Sequence, residues 1–350
     1  MTGAEYRVLF EGRDYPIFQN RMYDSAEDAR TCPRGQIELV QDMGTGLIRN
    51  RLFDPTLMEY DAAYQNEQGN SAPFRAHLDV TRDRVLHHFG TEALVEIGCG
   101  KGGFLNMLAA AGADITGYDP TFEGEDPRIE KRYFGPGIGV RAKGIVLRHV
   151  LEHIADPVAF LRMIAEANGG GPIYIEVPCF DWIARKRAWF DIFYEHANYF
   201  RLSDFHRIFG HVIEAGHCFG GQYLGVFADL ASLRDPVFRP DDAVTLPTDF
   251  AIDLDFAGAG PQDVVWGGAS KGVIYALARH RAGLPVAHVV DINPGKQGRY
   301  LAGTGLRVEA PHEVLPRLGQ DARILIMNPN YAGEIKEMAG DRFTFVEVGQ

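Results

Sequence analysis

The sequence predicts an α/β fold: two Rossmann-like units, the second smaller than the first, behind a short irregular N-terminal region. Two observations carry this. An apolar run at residues 93–97 ends in Gly98-Cys99-Gly100-Lys101-Gly102-Gly103, a helical pattern follows over about 102–111, and a second apolar run ends in Asp119. The same order recurs later: a short strand pattern at 263–266, the turn Gly267-Gly268-Ala269-Ser270-Lys271-Gly272, a helical pattern at 273–282, and an apolar run ending in Asp291. Strand, glycine turn, helix, strand and terminal acid make the first βαβ half of a nucleotide-binding sheet. The two occurrences share a plan without close repetition.

Taken in order, residues 1–75 lack long periodic runs and read as irregular. A helix is expected over 77–89, then strands at 93–97, 114–118, 144–147 and 173–177, with helical stretches between them. Runs at 212–219 and 223–230, around Gly220-Gly221, form a closing pair of strands. This alternation predicts a mainly parallel sheet over residues 76–235. Arg234-Asp235-Pro236 and Arg239-Pro240-Asp241-Asp242 mark a linker. The second unit, 236–350, adds strands at 324–327 and 343–348.

The chain has 350 residues, 46% of them hydrophobic, enough for more than one core. Its net charge of −12 argues against a polyanionic nucleic-acid partner. No basic-then-apolar leader opens the chain, and no apolar run reaches the roughly 18 residues of a membrane span. Cys32, Cys99, Cys179 and Cys218 are far apart, with no C-x-x-C pair. A cytoplasmic protein with no membrane partner is the expectation.

The first glycine turn is Glu96-Ile97-Gly98-Cys99-Gly100, and its spacing departs from G-x-G-x-x-G. Glu-x-Gly-x-Gly at a strand end suits S-adenosylmethionine (SAM) better than a dinucleotide. Glu96 can organise the turn and the methionine ammonium, Gly98 and Gly100 permit close backbone approach, and Asp119 can accept from both ribose hydroxyls. Cys99 and Pro120 flank these contacts, and His149, after the third strand, packs near the adenosyl group. Cys99 reads as a small filler rather than a nucleophile.

Beyond the third strand lies Arg148-His149-Val150-Leu151-Glu152-His153. Ligands of such sheets bind past the carboxyl ends of strands, so His153 is a candidate active-site residue. His149 and His153 would share one face of a helical turn. As a zinc pair they lack a third ligand at a recognisable spacing, so no metal is expected. Tyr194-Glu195-His196-Ala197-Asn198-Tyr199-Phe200 gathers an acid, an imidazole and two phenols. Methyl transfer to carbon needs a base that removes a proton beside a carbonyl and a group that steadies the enolate. Glu195, His196 and His153 can each be that base, and Tyr194 or a protonated histidine can hold the oxyanion. The segment from Tyr60 to Glu67, with Tyr64, suits a flap over the site.

The chain resembles the nucleotide-sugar C-methyltransferases that act at C3 of a 4-keto-deoxysugar. The likeness rests on VEIGCGKGGFLNMLAAAGADITGYDP with RHVLEHIADP, on FYEHANYF, and on WGGASKGVIYAL, VVDINPGKQGRYLAGTGLRVEAP and ILIMNPNYAGEI. It covers about residues 55–350. The resemblance implies a central class I SAM-methyltransferase domain, a C-terminal Rossmann-like domain and a sugar nucleotide between them. It implies active-site roles for His153 and for the pair Glu195 and His196, and it matches Tyr64 to an N-terminal active-site tyrosine. The family's tyrosine two positions before the Glu is Phe193 here, with Tyr194 its neighbour. The family opens with a zinc domain on four cysteines, whereas residues 1–60 hold only Cys32.

The expected activity is SAM-dependent C-methylation alpha to a ketone, through an enolate, on a small-molecule substrate, a nucleotide-linked keto-deoxysugar or a related metabolite. Lys271, Lys296 and Arg299 are candidate phosphate contacts. The residues also admit an O- or N-methyltransferase on another metabolite, an NAD(P)-dependent oxidoreductase using the second glycine turn, or a SAM-binding protein without catalysis.

Overall fold

The computed structural model describes residues 5–58, 69–251, 256 and 258–349. Three sheets organise them. The N-terminal region is not irregular. β1 (Tyr6–Pro16), β2 (Arg34–Asp42) and β3 (Ile48–Asn50) form an antiparallel sheet, with the short helix α1 (Ala26–Arg30) between the first two strands. β1 pairs with β2 through two register shifts, which erase the two-residue alternation that would have announced a strand. β2 does alternate: Ile37 and Leu39 face inward, Gln36 and Glu38 outward.

The long helix α2 (Ala72–Phe89) begins before its expected start, because Ser71 and Pro73 supply an N-terminal signal. The central sheet follows. It contains β4 (Leu94–Ile97), α3 (Gly103–Ala110), β5 (Ile115–Tyr118), β6 (Ile129–Glu130), β7 (Gly144–Arg148), α4 (Pro157–Asn168) and β8 (Pro172–Pro178). After α5 (Phe180–Arg185), β9 (Asn198–Tyr199) leaves this sheet and pairs with β3. It thereby ties the 194–200 segment to the N-terminal sheet. Helix α6 (Leu202–Ile208) then leads to the hairpin β10 (Val212–Cys218) and β11 (Tyr223–Asp229). The spatial order is β10-β11-β8-β7-β4-β5-β6, with β11 antiparallel to both neighbours and the other pairs parallel. Strand order reverses beside β4, between β5 and β7, and α/β sheets bind ligands beyond such a switch point.

Among the described residues of 236–262 there is no long helix or strand. They are anchored nonetheless: buried Gln41 donates to the Asp242 carbonyl at 2.9 Å and accepts from Val244 N at 2.8 Å.

The last unit comprises β12 (Val264–Trp266), α7 (Lys271–Arg281), β13 (His288–Val290), β14 (Val308–Glu309), α8 (Pro311–Val314), β15 (Arg323–Ile326), α9 (Ala332–Ala339) and β16 (Thr344–Glu347). Its sheet, β14-β13-β12-β15-β16, is wholly parallel and reverses beside β12. β4 and β12 are buried at every position, as parallel strands covered on both faces must be. Glu96 and Glu176 are therefore conspicuous as acids inside buried strands.

Candidate active site

The first glycine turn closes on Asp119. Gly100 N–H donates to one carboxylate oxygen at 2.8 Å, and Thr121 donates to the other through its backbone N–H and its hydroxyl. Gly98 has φ +69°, and a side chain there would collide with Val150. Cys99 is buried with its thiol pushed upward by burial, and it packs against Gly117, consistent with a filler. Pro120, half-buried, follows the acid. Glu96 is 3% exposed, and its Oε2 has no hydrogen-bond partner among the described residues. Burial pushes its carboxyl up to about 8, against the pull of Arg148 and with added repulsion from Asp119. A buried carboxyl with one unpartnered oxygen in the strand that leads into the glycine turn, beside an acid at the next strand end, is an acceptor set that fits SAM, whose ammonium and ribose need such acceptors.

At the end of β7, His149 takes φ +52°, a left-handed conformation that costs a non-glycine residue about 1–3 kcal/mol. Glu176 holds it there. His149 N–H donates to the Glu176 carbonyl at 2.8 Å, and Nε2 donates to the Glu176 carboxylate at 3.1 Å. Nδ1 lies 3.4 Å from Glu152. Burial disfavours the imidazolium, but Glu152 and Glu176 outweigh it and raise the ring to about 9. Glu176 also receives Arg148 at 2.8 Å, Tyr174 at 2.7 Å and His77 at 3.2 Å. Burial works against its charge, yet Arg148 and the two histidines hold the carboxyl well below the usual range. Sequence reasoning passed over Glu176. Its signal was one acid inside an otherwise apolar strand.

The turn after His149 presents Glu152 and His153. Glu152 is 2% exposed, with Oε2 unpartnered among the described residues. His153 donates from Nδ1 to the Glu195 carbonyl at 2.8 Å. Its ring meets that of His196 edge to face, centroids 5.0 Å apart. His196 is buried, and its Nδ1 has no partner among the described residues. Burial, with repulsion from His153, His149 and Lys271, holds this imidazole neutral, well below the ordinary histidine range.

The fold thus brings His149, Glu152, His153 and His196 onto one cavity of about 220 Å³. It does not bring the other members of the 194–200 cluster there. Tyr194 accepts from Asp54 N–H at 3.0 Å and packs beside Phe53, away from the cavity lining. The Glu195 carboxylate accepts from Gln19 N–H at 3.0 Å, so it faces the N-terminal sheet. Phe193 lines the cavity instead. Tyr64 lies outside the described residues.

The opposite wall comes from the second glycine turn. Gly268 N–H donates to Asp291 Oδ2 at 2.8 Å and Asn293 N–H to Oδ1 at 2.8 Å, repeating the bonding of Asp119 in the first turn. Gly272 is required, because a side chain there would collide with the Gly267 carbonyl. Lys271 and Lys296 both line the cavity, each beside a carboxylate: Lys271 lies 2.9 Å from Asp191 and Lys296 3.2 Å from Asp291. Arg299 lies 3.5 Å from Asp24 and is not among the lining residues.

Comparison with known proteins bears on the central unit. Residues 74–212 match the family model described as a methyltransferase domain. A ubiquinone biosynthesis O-methyltransferase of Azorhizobium caulinodans is 28% identical over 152 residues, 34% of this chain and 60% of that protein. Its counterpart in Methylobacterium nodulans is 29% identical over 117 residues, 27% of this chain and 47% of that protein. The chain therefore spans about half to three-fifths of the curated relatives it matches. Among solved structures, magnesium protoporphyrin IX methyltransferase from Synechocystis PCC 6803 with bound S-adenosylhomocysteine aligns at TM-score 0.36 and 15% identity, over 45% of this chain and 82% of that one. The sheet order, the Glu96 turn and the family match define the class: the central unit is a SAM-dependent methyltransferase domain of Rossmann-like fold.

Proposed function

We propose that the protein is a SAM-dependent C-methyltransferase acting alpha to a ketone of a nucleotide-linked keto-deoxysugar. One observation carries this reading. A neutral, buried imidazole, His196, stands with an unpartnered Nδ1 on a cavity whose far wall is a second nucleotide-type turn closed on Asp291. A base of that kind suits proton removal from carbon, which transfer to oxygen or nitrogen does not demand. The sugar nucleotide fits between the two units, with Asp291 toward the ribose and Lys271 and Lys296 toward the phosphates.

The bound cofactor supplies an electrophilic methyl group. The chain's own residues do the rest. His196 takes the proton from the carbon alpha to the ketone. His153, fixed by the Glu195 carbonyl, stands beside it and orients that carbon's neighbour oxygen. His149 is held as an imidazolium by Glu176 and Glu152 and places positive charge where the enolate oxygen develops. Phe193 excludes water from the same wall. The resemblance to nucleotide-sugar C-methyltransferases supports the substrate class.

The test uses methyl-labelled SAM and a panel of 4-keto-deoxysugar nucleotides. Label should appear on carbon, and the alpha proton should exchange with deuterated solvent at a rate lost in His196→Ala. Label on oxygen or nitrogen, or wild-type turnover in His196→Ala, would refute the proposal. Transfer to oxygen is the second reading, favoured by the similarity to two ubiquinone biosynthesis O-methyltransferases.

A further inference from the structure

Of the two carboxylate oxygens of Glu152, the chemistry proposed above uses one. Glu152 is 2% exposed and lines the cavity. His149, with Nδ1 3.4 Å from Oε1, is its one ion-pair partner among the described residues. Its Oε2 is buried and has no hydrogen-bond partner among them. An ionised carboxyl offers about four acceptor sites, and a buried oxygen left unsatisfied forfeits roughly tenfold to a hundredfold in an equilibrium constant. The turn Leu151–His153 that carries Glu152 is firmly seated, with Leu151 fully buried and His153 N–H on the Val150 carbonyl at 3.0 Å. The oxygen is therefore held in place on a cavity wall, and it calls for a donor carried by the ligand.

The place of that donor follows from the neighbours. A carboxylate oxygen of Glu152 lies within 4.8 Å of a ring nitrogen of His196. A hydroxyl bonds a carboxylate at about 2.7 Å, and a base stands about 3 Å from the group it deprotonates. A molecule that offers its acidic C–H to His196 therefore offers Glu152 whatever stands on that carbon or on its neighbour. The charge of the donor is constrained as well. Glu152 already faces the His149 imidazolium, and Lys271, on the same cavity, is paired with Asp191 at 2.9 Å. A further cation beside His149 would meet repulsion, whereas a neutral O–H meets none and satisfies the oxygen. A site built to bond a substrate hydroxyl rejects the analogue lacking it far more strongly than an apolar pocket rejects a missing methylene.

We infer that Glu152 selects the acceptor: its unpartnered oxygen accepts a hydrogen bond from a hydroxyl on, or next to, the carbon that receives the methyl group. The inference rests on the acceptor cavity and the base assigned above, and His196 keeps its role. It adds a demand that the base alone does not make. A ketone whose neighbouring carbon carries no hydroxyl fits the cavity but leaves Glu152 Oε2 buried and unsatisfied, so it binds poorly.

The experiment measures binding rather than turnover, by calorimetry on the full-length protein with S-adenosylhomocysteine present. The probes are a nucleoside-diphosphate 4-keto-6-deoxyhexose and two counterparts, one without the hydroxyl at C3 and one with an amino group in its place. Wild type should bind the hydroxylated probe about 10- to 100-fold more tightly than the deoxy probe, and more tightly than the amino probe. In Glu152→Met, similar in length but without the acceptor, the preference over the deoxy probe should fall to within about threefold. Glu152→Gln, which keeps an oxygen but no charge, should fall between the two and serves if the apolar variant does not fold. Any weakening of the His149 charge acts alike on the hydroxylated and deoxy probes, so their ratio reports the hydroxyl contact. Equal affinity of wild type for those two probes would overturn the inference alone, as would a preference retained in folded Glu152→Met or tighter binding of the amino probe. Binding of no probe would overturn the acceptor class on which the inference rests, and the inference with it.

Discussion

Replacing Glu176 with Gln is expected to destabilise the central unit by about 3–5 kcal/mol. The magnitude follows from what surrounds it. The Glu176 side chain is fully buried and that of Arg148 is 9% exposed, with Nη2 2.8 Å from the carboxylate. Removing one member of a buried pair leaves the other charge without compensation, which costs roughly that much. A glutamine also presents an NH₂ group to Arg148, Tyr174 and His77, all of which donate to the carboxylate now. The coupled change is informative. Arg148→Met alone strands a carboxylate still solvated by two histidines and a tyrosine, whereas the double variant removes both charges. The two single losses should therefore exceed the loss in the double variant by at least 1 kcal/mol. Urea titrations followed by tryptophan fluorescence and circular dichroism supply the cycle. Acid adds a sign. The carboxyl is depressed in the folded state, so its stabilisation is present above the unfolded carboxylate range and is lost as pH falls through the folded value. Wild type should lose more stability than Glu176→Gln on acidification below about pH 4.5. Additive single-variant losses, or parallel acid profiles, would refute the reasoning.

Other outcomes follow from the two turns. Glu96 is raised to about 8, so it is mostly protonated in the empty turn at pH 7, and a neighbouring ammonium favours the carboxylate. SAM binding should release close to one proton, seen as a buffer-dependent enthalpy in calorimetry. A buffer-independent enthalpy, or unchanged release in Glu96→Gln, would contradict this. Asp119→Ala should raise the SAM dissociation constant at least tenfold while sparing acceptor KM, and Asp291→Ala should do the reverse; steady-state kinetics with each substrate varied would separate them. Gly272→Ala forces a side chain against the Gly267 carbonyl and should cost about 1–3 kcal/mol, read as a lowered melting temperature of the C-terminal unit. An unchanged melting temperature would show that the turn yields.

The two α/β units were legible because parallel strands buried on both faces leave continuous apolar runs, and because glycine turns and terminal acids punctuate them. The N-terminal sheet was not. β1 breaks its alternation twice, and β3 and β9 span only three and two residues, too short for any periodicity. The site was legible in part. His149, His153 and His196 could be picked out as histidines after strands or in an aromatic segment, and they share the cavity. The outward turn of Tyr194 was hidden, since it depends on Gly35 of β2, whose missing side chain makes room for the phenol ring. The grouping of Glu152 with His153 and His196 was hidden for a related reason. Sequence spacing paired His149 with His153, but His149 is turned by its left-handed backbone onto Glu176, and Glu152 takes its place beside His153.

The same backbone strain links the two halves of the chemistry. Both the backbone N–H and Nε2 of His149, which adopts φ +52°, are tied to Glu176 of β8. That tie aims Nδ1 at Glu152 and so sets which Glu152 oxygen is left for the cavity. A buried carboxylate in the neighbouring strand therefore governs the histidine wall from behind. On the far wall, Asp291 repeats the bonding of Asp119, gripping its own turn through Gly268 as Asp119 grips Gly100. The cavity lies between an acid-ordered turn on one side and an acid-ordered histidine wall on the other. Glu176 from behind and Asp291 from the lining itself thus fix the positions of the groups around them.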